Sequence, residues 1–161
     1  MLKRVCVSVV LLSASACGGS STPTAPTFEN VQGQYSGTYA ISSCSADGAL
    51  VGFCASGGFN PGASFPILLL LTQSQDVVTG TVTLGSVTGT FQGSVAMSGN
   101  LNATATMNPV VVVGIAVTSN LTSWNTTLSG NNLVGSFIIV WRITAPSGTA
   151  TVNATISRLS R

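Results

Sequence analysis

Between residues 66 and 97 the chain alternates apolar and hydroxylated side chains in three runs separated only by short turn-like breaks, the pattern of a β-meander. A strand sends successive side chains to opposite faces. Val78, Gly80, Val82 and Leu84 therefore share one face, and Thr79, Thr81 and Thr83 the other. After Gly85-Ser86 the parity returns as Val87, Gly89, Phe91, Gly93, Val95 and Met97 against Thr88, Thr90, Gln92, Ser94 and Ala96. A slip of one residue would expose the whole apolar set, so register is well specified. Ahead of these runs, residues 67–71 are apolar at every position, which predicts a strand start covered on both faces. Ser74-Gln75-Asp76 supplies the turn that follows it.

The rest of the chain repeats the plan. A first strand over 34–43 puts Tyr35, Gly37, Tyr39 and Ile41 on one face and leads into a long loop ending near Phe65-Pro66. A fifth carries Leu101, Ala103, Ala105 and Met107, and a sixth Thr122, Trp124, Thr126 and Leu128. A seventh over 133–143 aligns Phe137, Ile139 and Trp141, and an eighth over 149–157 turns Ala150, Val152, Ala154 and Ile156 inward. Residues 109–117 are apolar and β-branched, and read as a ninth strand, an extension of the fifth, or a loop crossing an open barrel end. A short pattern places Gly37, Gly80, Gly89 and Gly135 inside strands, at points where a sheet bends or a bulky neighbour needs room. Beyond the N-terminal segment no helical period is present, so the class is all-β. Eight hairpin-linked strands predict an eight-stranded antiparallel up-and-down β-barrel, with a β-sandwich as the alternative. Its expected core includes Val82, Phe91, Val95, Phe137, Ile139 and Val152. A transmembrane barrel is disfavoured, because the outward positions are Thr, Ser and Asn rather than a lipid-compatible band.

Residues 1–16 read as an export signal: Lys3 and Arg4, a short apolar run, then small residues. Ala14-Ser15-Ala16-Cys17 resembles the lipobox of bacterial lipoproteins, with Ala14 where that family usually has Leu. The resemblance implies acylation of Cys17 and a membrane anchor, and Gly18 after it implies the outer membrane. An ordinary secretory peptidase would cut at the same bond and leave a periplasmic or secreted protein. The uncharged Gly, Ser, Thr, Pro and Ala that follow have the composition of a flexible tether. The expected organisation is signal 1–16, lipidated Cys17 and tether 17–29, and barrel 30–161.

Removing the signal changes the charge. The whole chain has five Lys and Arg against three Asp and Glu; without Lys3 and Arg4, Arg142, Arg158 and Arg161 face Glu29, Asp47 and Asp76 at formal net charge zero. Such a surface lacks the basic footprint of a nucleic-acid binder. Cys6 leaves with the signal and Cys17 is the acylation site, so Cys44 and Cys54 remain; export predicts that they are bridged, the alternative being two free thiols. The chain has no His, and the mature part no Lys. Ordinary Ser-His-Asp and Cys-His sites, His metal ligands and Schiff-base lysines are therefore excluded. The three carboxylates read as turn or solubilising residues, so the expectation is a non-enzyme without cofactor. The four Asn-x-Thr sequons, at Asn102, Asn120, Asn125 and Asn153, are ordinary strand residues if the exporter is bacterial.

In architecture the chain resembles the small exported barrels related to avidins and lipocalins, and more closely the uncharacterised bacterial lipoproteins built on that plan. Lipocalins open their first strand with Gly, a spacer and Trp, and lay a basic residue from the last strand over that ring. Gly33-Gln34-Tyr35 and Arg158 are similar, with Tyr in place of Trp, and the resemblance implies that Arg158 covers Tyr35. The residues by which avidins hold biotin have no counterpart. Small barrels bind ligands at one mouth, and Tyr35, Tyr39, Trp124, Phe137 and Trp141 are the candidates to line it for a small apolar ligand. The other reading is an envelope interaction or structural module that uses its outer face or residues 109–117 as a contact. A solvent-connected cavity floored by aromatics favours the first; a filled interior with Val110 to Val113 exposed favours the second.

Overall fold

The computed structural model describes residues 26–112 and 115–161. The segment expected to be a signal, Cys17, most of the expected tether, and Val113 lie outside the described residues. Nine strands are present among those described: β1 (Gly33–Gly48), β2 (Ser64–Ser74), β3 (Val77–Leu84), β4 (Val87–Val95), β5 (Asn100–Met107), β6 (Val110–Val112), β7 (Ile115–Ser129), β8 (Asn132–Ile143) and β9 (Gly148–Ser160). Every pairing is antiparallel, and β1 pairs with β9. Eight strands thus close an up-and-down barrel, with β6 outside the ring. The one helix among the described residues, α1 (Phe53–Ser56), lies in the β1–β2 loop.

Parity decides what the barrel contains. Val78, Val82, Phe91, Val95, Phe137, Ile139 and Val152 are all buried, as the alternation predicts. The outer face carries hydroxyl ladders, with Thr72 and Thr79 3.0 Å apart and Thr83 and Thr88 likewise. The strand glycines stand where the backbone of a neighbouring strand comes close. Phe91 is flanked in register by Gly80 on β3 and Ala105 on β5, and a Cβ at Gly80 would run into the Leu70 carbonyl oxygen. Small residues beside a large ring let the interior fill without voids.

Four expectations are corrected. Residues 67–71 are not covered on both faces: Ile67, Leu69 and Leu71 are buried, whereas Leu68 and Leu70 are 40% and 53% exposed on the outer wall. Met97 lies beyond the end of β4 and is exposed. Thr122 points outward, because the register of β7 shifts between Leu121 and Ser123. Val117, Ser119 and Leu121 are inward before that bulge, and Trp124 and Thr126 after it, since one extra residue inverts the parity. Finally, β9 runs past residue 157 to Ser160, with Leu159 buried. Residues 109–117 resolve into β6 and the start of β7, a hairpin pairing Val110 with Val117 and Val112 with Ile115.

The two ends of the barrel differ. At one end the incoming chain docks: Phe28 packs against the core, Val31 is fully buried, and the Val31 N–H donates to Gln73 Oε1 at 2.8 Å. Here a basic side chain does lie over the ring of the first strand's tyrosine, but it is not the expected one. Arg161, not Arg158, lies over Tyr35, its guanidinium carbon 5.2 Å from the ring centroid. It donates from Nε and Nη2 to the Tyr35 hydroxyl at 3.2 and 2.6 Å, and from Nη2 to the Asn30 carbonyl at 2.6 Å. Arg158 instead donates to Asn132 and Ser160 on the outer wall. The register between β8 and β9 shifts ahead of Leu159, and this carries the basic role to the end of the chain.

Candidate functional site

The opposite end holds the candidate site. The turns β3–β4 and β8–β9 lie there with the β6–β7 hairpin, and the loop 49–63 with α1 crosses it. The register of β1 against β9 shifts between Ile41 and Ser43, and this irregularity turns Cys44 to the core side, where it packs. Cys44 and Cys54 are disulfide-bonded, with their Cα atoms 5.8 Å apart. The bridge ties α1 to β1, as expected, and points to an extracytoplasmic location.

The tied loop delivers aromatics to the barrel end. Phe53 and Phe59 stack at 5.2 Å between centroids, Phe53 lies 5.5 Å from Trp141, and Phe59 lies 5.4 Å from Phe65. Phe65 stacks on Tyr39 at 5.6 Å, and Tyr39 meets the edge of Phe137 at 5.0 Å. Phe137 stacks on Trp124 at 5.4 Å, which meets Phe91 at 5.3 Å and 89°. A continuous aromatic column thus runs from the mouth to the centre of the barrel.

This column divides the five predicted lining residues. Trp124 and Phe137 are 1% exposed and fill the centre, and the Trp124 indole N–H donates to the buried Thr126 hydroxyl at 2.8 Å. Tyr35 lies at the far end beneath Arg161. Only Tyr39 and Trp141 reach the mouth, where they join Phe59, Phe65, Leu84 and Ile139 around a cavity of about 190 Å³. Sequence reasoning missed Phe53, Phe59 and Phe65. The available signal was two phenylalanines flanking Cys54 in a loop rich in Gly, Ala and Ser, which marks a segment folded back onto the core.

No charged side chain lines this cavity. Asp47, the carboxylate at this end, accepts from the Thr149 backbone N–H at 2.9 Å. Glu29 and Asp76 sit at the other end, before β1 and in the β2–β3 turn. Burial pushes the Tyr39 hydroxyl up to about 12 from its ordinary 10.0, because the phenolate would lose its hydration. The raised value means that the folded state holds this proton more tightly than the unfolded chain. Its contribution is complete below pH 10 and is lost as pH rises toward 12. We expect alkaline denaturation profiles to fall by about 2 kcal/mol over that window, and the Tyr39→Phe profile to lack that component.

Beyond Phe53 the same end carries a second, shallower depression of about 450 Å³ lined by Leu50, Val51, Phe53, Ile115, Val117 and Ile143. Val51 and Val111 beside it are 70% and 72% exposed. The arrangement can enclose an apolar group and present an apolar rim, and it brings together no acid–base pair. Comparison with protein-family profiles, curated proteins and solved structures gives no match for the chain.

Proposed function

We propose that this chain is a lipid-anchored binding barrel of the bacterial cell envelope, of lipocalin- or avidin-like plan, that holds a small apolar or aromatic ligand at its mouth and catalyses no reaction. The observation that carries the reading is the 190 Å³ cavity walled by Tyr39, Phe59, Phe65 and Trp141 in a barrel whose centre is otherwise filled. A pocket of apolar walls with few polar groups is the usual form of a small-molecule site. The anchor rests on the lipobox-like Ala14-Ser15-Ala16-Cys17; residues 26–32 approach the end sealed by Arg161, so an acylated Cys17 would leave the mouth at the end away from the tether. Gly18 agrees with delivery to the outer membrane where the host has one.

A second reading, an envelope interaction module, draws on the exposed Val51, Val111 and Ile115. Val51 and Ile115 line the depression beyond Phe53, at the same end of the barrel as the cavity but apart from its walls.

Native and intact mass spectrometry of the full chain, purified in mild detergent from a bacterial envelope, tests the anchor and the ligand together. The expected species begins at Cys17, carries acyl mass and retains a small molecule that collisional activation releases. Cys17→Ala should leave the membrane fraction. A mature chain starting at an unmodified Cys17, or a Cys17→Ala variant that still sediments with membranes, would overturn the anchor.

A further inference from the structure

Two aromatic side chains that line the mouth cavity, Tyr39 and Trp141, carry a polar group with no hydrogen-bond partner among the described residues. Tyr39 is 6% exposed, lines the cavity, and among the described residues no group hydrogen-bonds its hydroxyl. The fully enclosed side-chain polar atoms without partners are Ser119 Oγ and the Trp141 indole nitrogen. The Tyr39 hydroxyl is not among them, so it keeps some access to solvent, and Tyr39 is one of the residues that line the cavity. A hydroxyl with solvent access can donate to water, and a ligand oxygen in the cavity would take that water's place.

We infer that the mouth receives a neutral single-ring compound bearing one hydrogen-bond-accepting oxygen, its ring against Phe59, Phe65 and Trp141 and its oxygen accepting from the Tyr39 hydroxyl. The inference rests on the ligand-binding reading above and narrows it. Size sets the single ring: a closed apolar cavity of about 150 Å³ holds benzene, and 190 Å³ leaves room for a short substituent. The lining sets the charge, because a carboxylate or ammonium entering there would shed its water without meeting an opposite charge. The hydroxyl sets the polarity. Burial keeps its proton in place, so it acts as the donor and the ligand oxygen as the acceptor.

Ligand-observed NMR titrations of the mature chain with acetophenone, ethylbenzene and tetramethylammonium test this, each repeated on Tyr39→Phe. Comparing the two proteins with one ligand cancels the hydration of the ligand. Loss of one neutral hydrogen bond should weaken acetophenone about fivefold to tenfold and leave ethylbenzene within about twofold, which also reports an intact mouth. Equal changes for the two ring compounds would overturn the assignment of Tyr39 while leaving mouth binding in place. Tighter binding of tetramethylammonium than of either ring would overturn the neutral class in favour of an aromatic cage for cations. No binding of any of the three at millimolar concentration would remove the ligand-binding reading itself.

Discussion

Replacing Phe91 by alanine is expected to cost about 3–5 kcal/mol of stability, the usual loss on emptying a large core site, whereas Thr90→Ala should cost less than about 1 kcal/mol. The two residues are neighbours in one strand and occupy opposite faces. Phe91 is fully buried and meets Trp124 edge-on at 5.3 Å, between Gly80 and Ala105, which hold no side-chain atoms able to close the void. Thr90 faces solvent between Thr81 and Thr106. Denaturant melts of the two variants in the mature chain compare them directly. Equal losses would mean that the apolar parity does not face the interior.

Removing the bridge with Cys44→Ala and Cys54→Ala together should lower stability by about 2.8 kcal/mol, from the loop-closure entropy restored to the unfolded chain. It should also act locally. The bridged loop carries Phe53 and Phe59, the two rings that cover Trp141, and it includes little else that packs. In the double variant, acrylamide quenching should reach Trp141 more readily and leave Trp124 protected in the barrel centre, a contrast separable with single-tryptophan versions. A melt unchanged to within about 0.5 kcal/mol would show that the loop is held by its aromatic contacts alone.

The closed barrel was legible because alternation survives over most strands, and each inward residue from Val78 to Val95 follows the period of two. It failed where a bulge intervenes. Leu121 and Trp124 are both inward although three positions apart, and no feature of Leu121-Thr122-Ser123-Trp124 marks the extra residue, because Ser and Thr suit either face. The same cause moved the ring-covering arginine from Arg158 to Arg161. An apolar run misleads differently: Leu68 and Leu70 continue the oily sequence of β2 but face water, since apolar composition does not by itself require burial. The site was half legible. Tyr39 and Trp141 stand on regular strands whose parity aims them at the mouth, but Phe59 and Phe53 arrive on a loop whose path follows from the disulfide and from ring packing, and neither has a period in the sequence.

Under the proposed function, ligand binds at the aromatic mouth, opposite the end where residues 26–32 dock. A two-dimensional NMR titration of isotopically labelled mature chain with acetophenone tests it most directly. The indole N–H of Trp141 and the backbone amides of Tyr39, Phe59 and residues 84–87 should shift together and saturably, while the indole N–H of Trp124 and the amides around Tyr35 and Arg161 stay in place. Shifts gathered at the Arg161 end, spread over the outer wall, or absent up to millimolar ligand would contradict it.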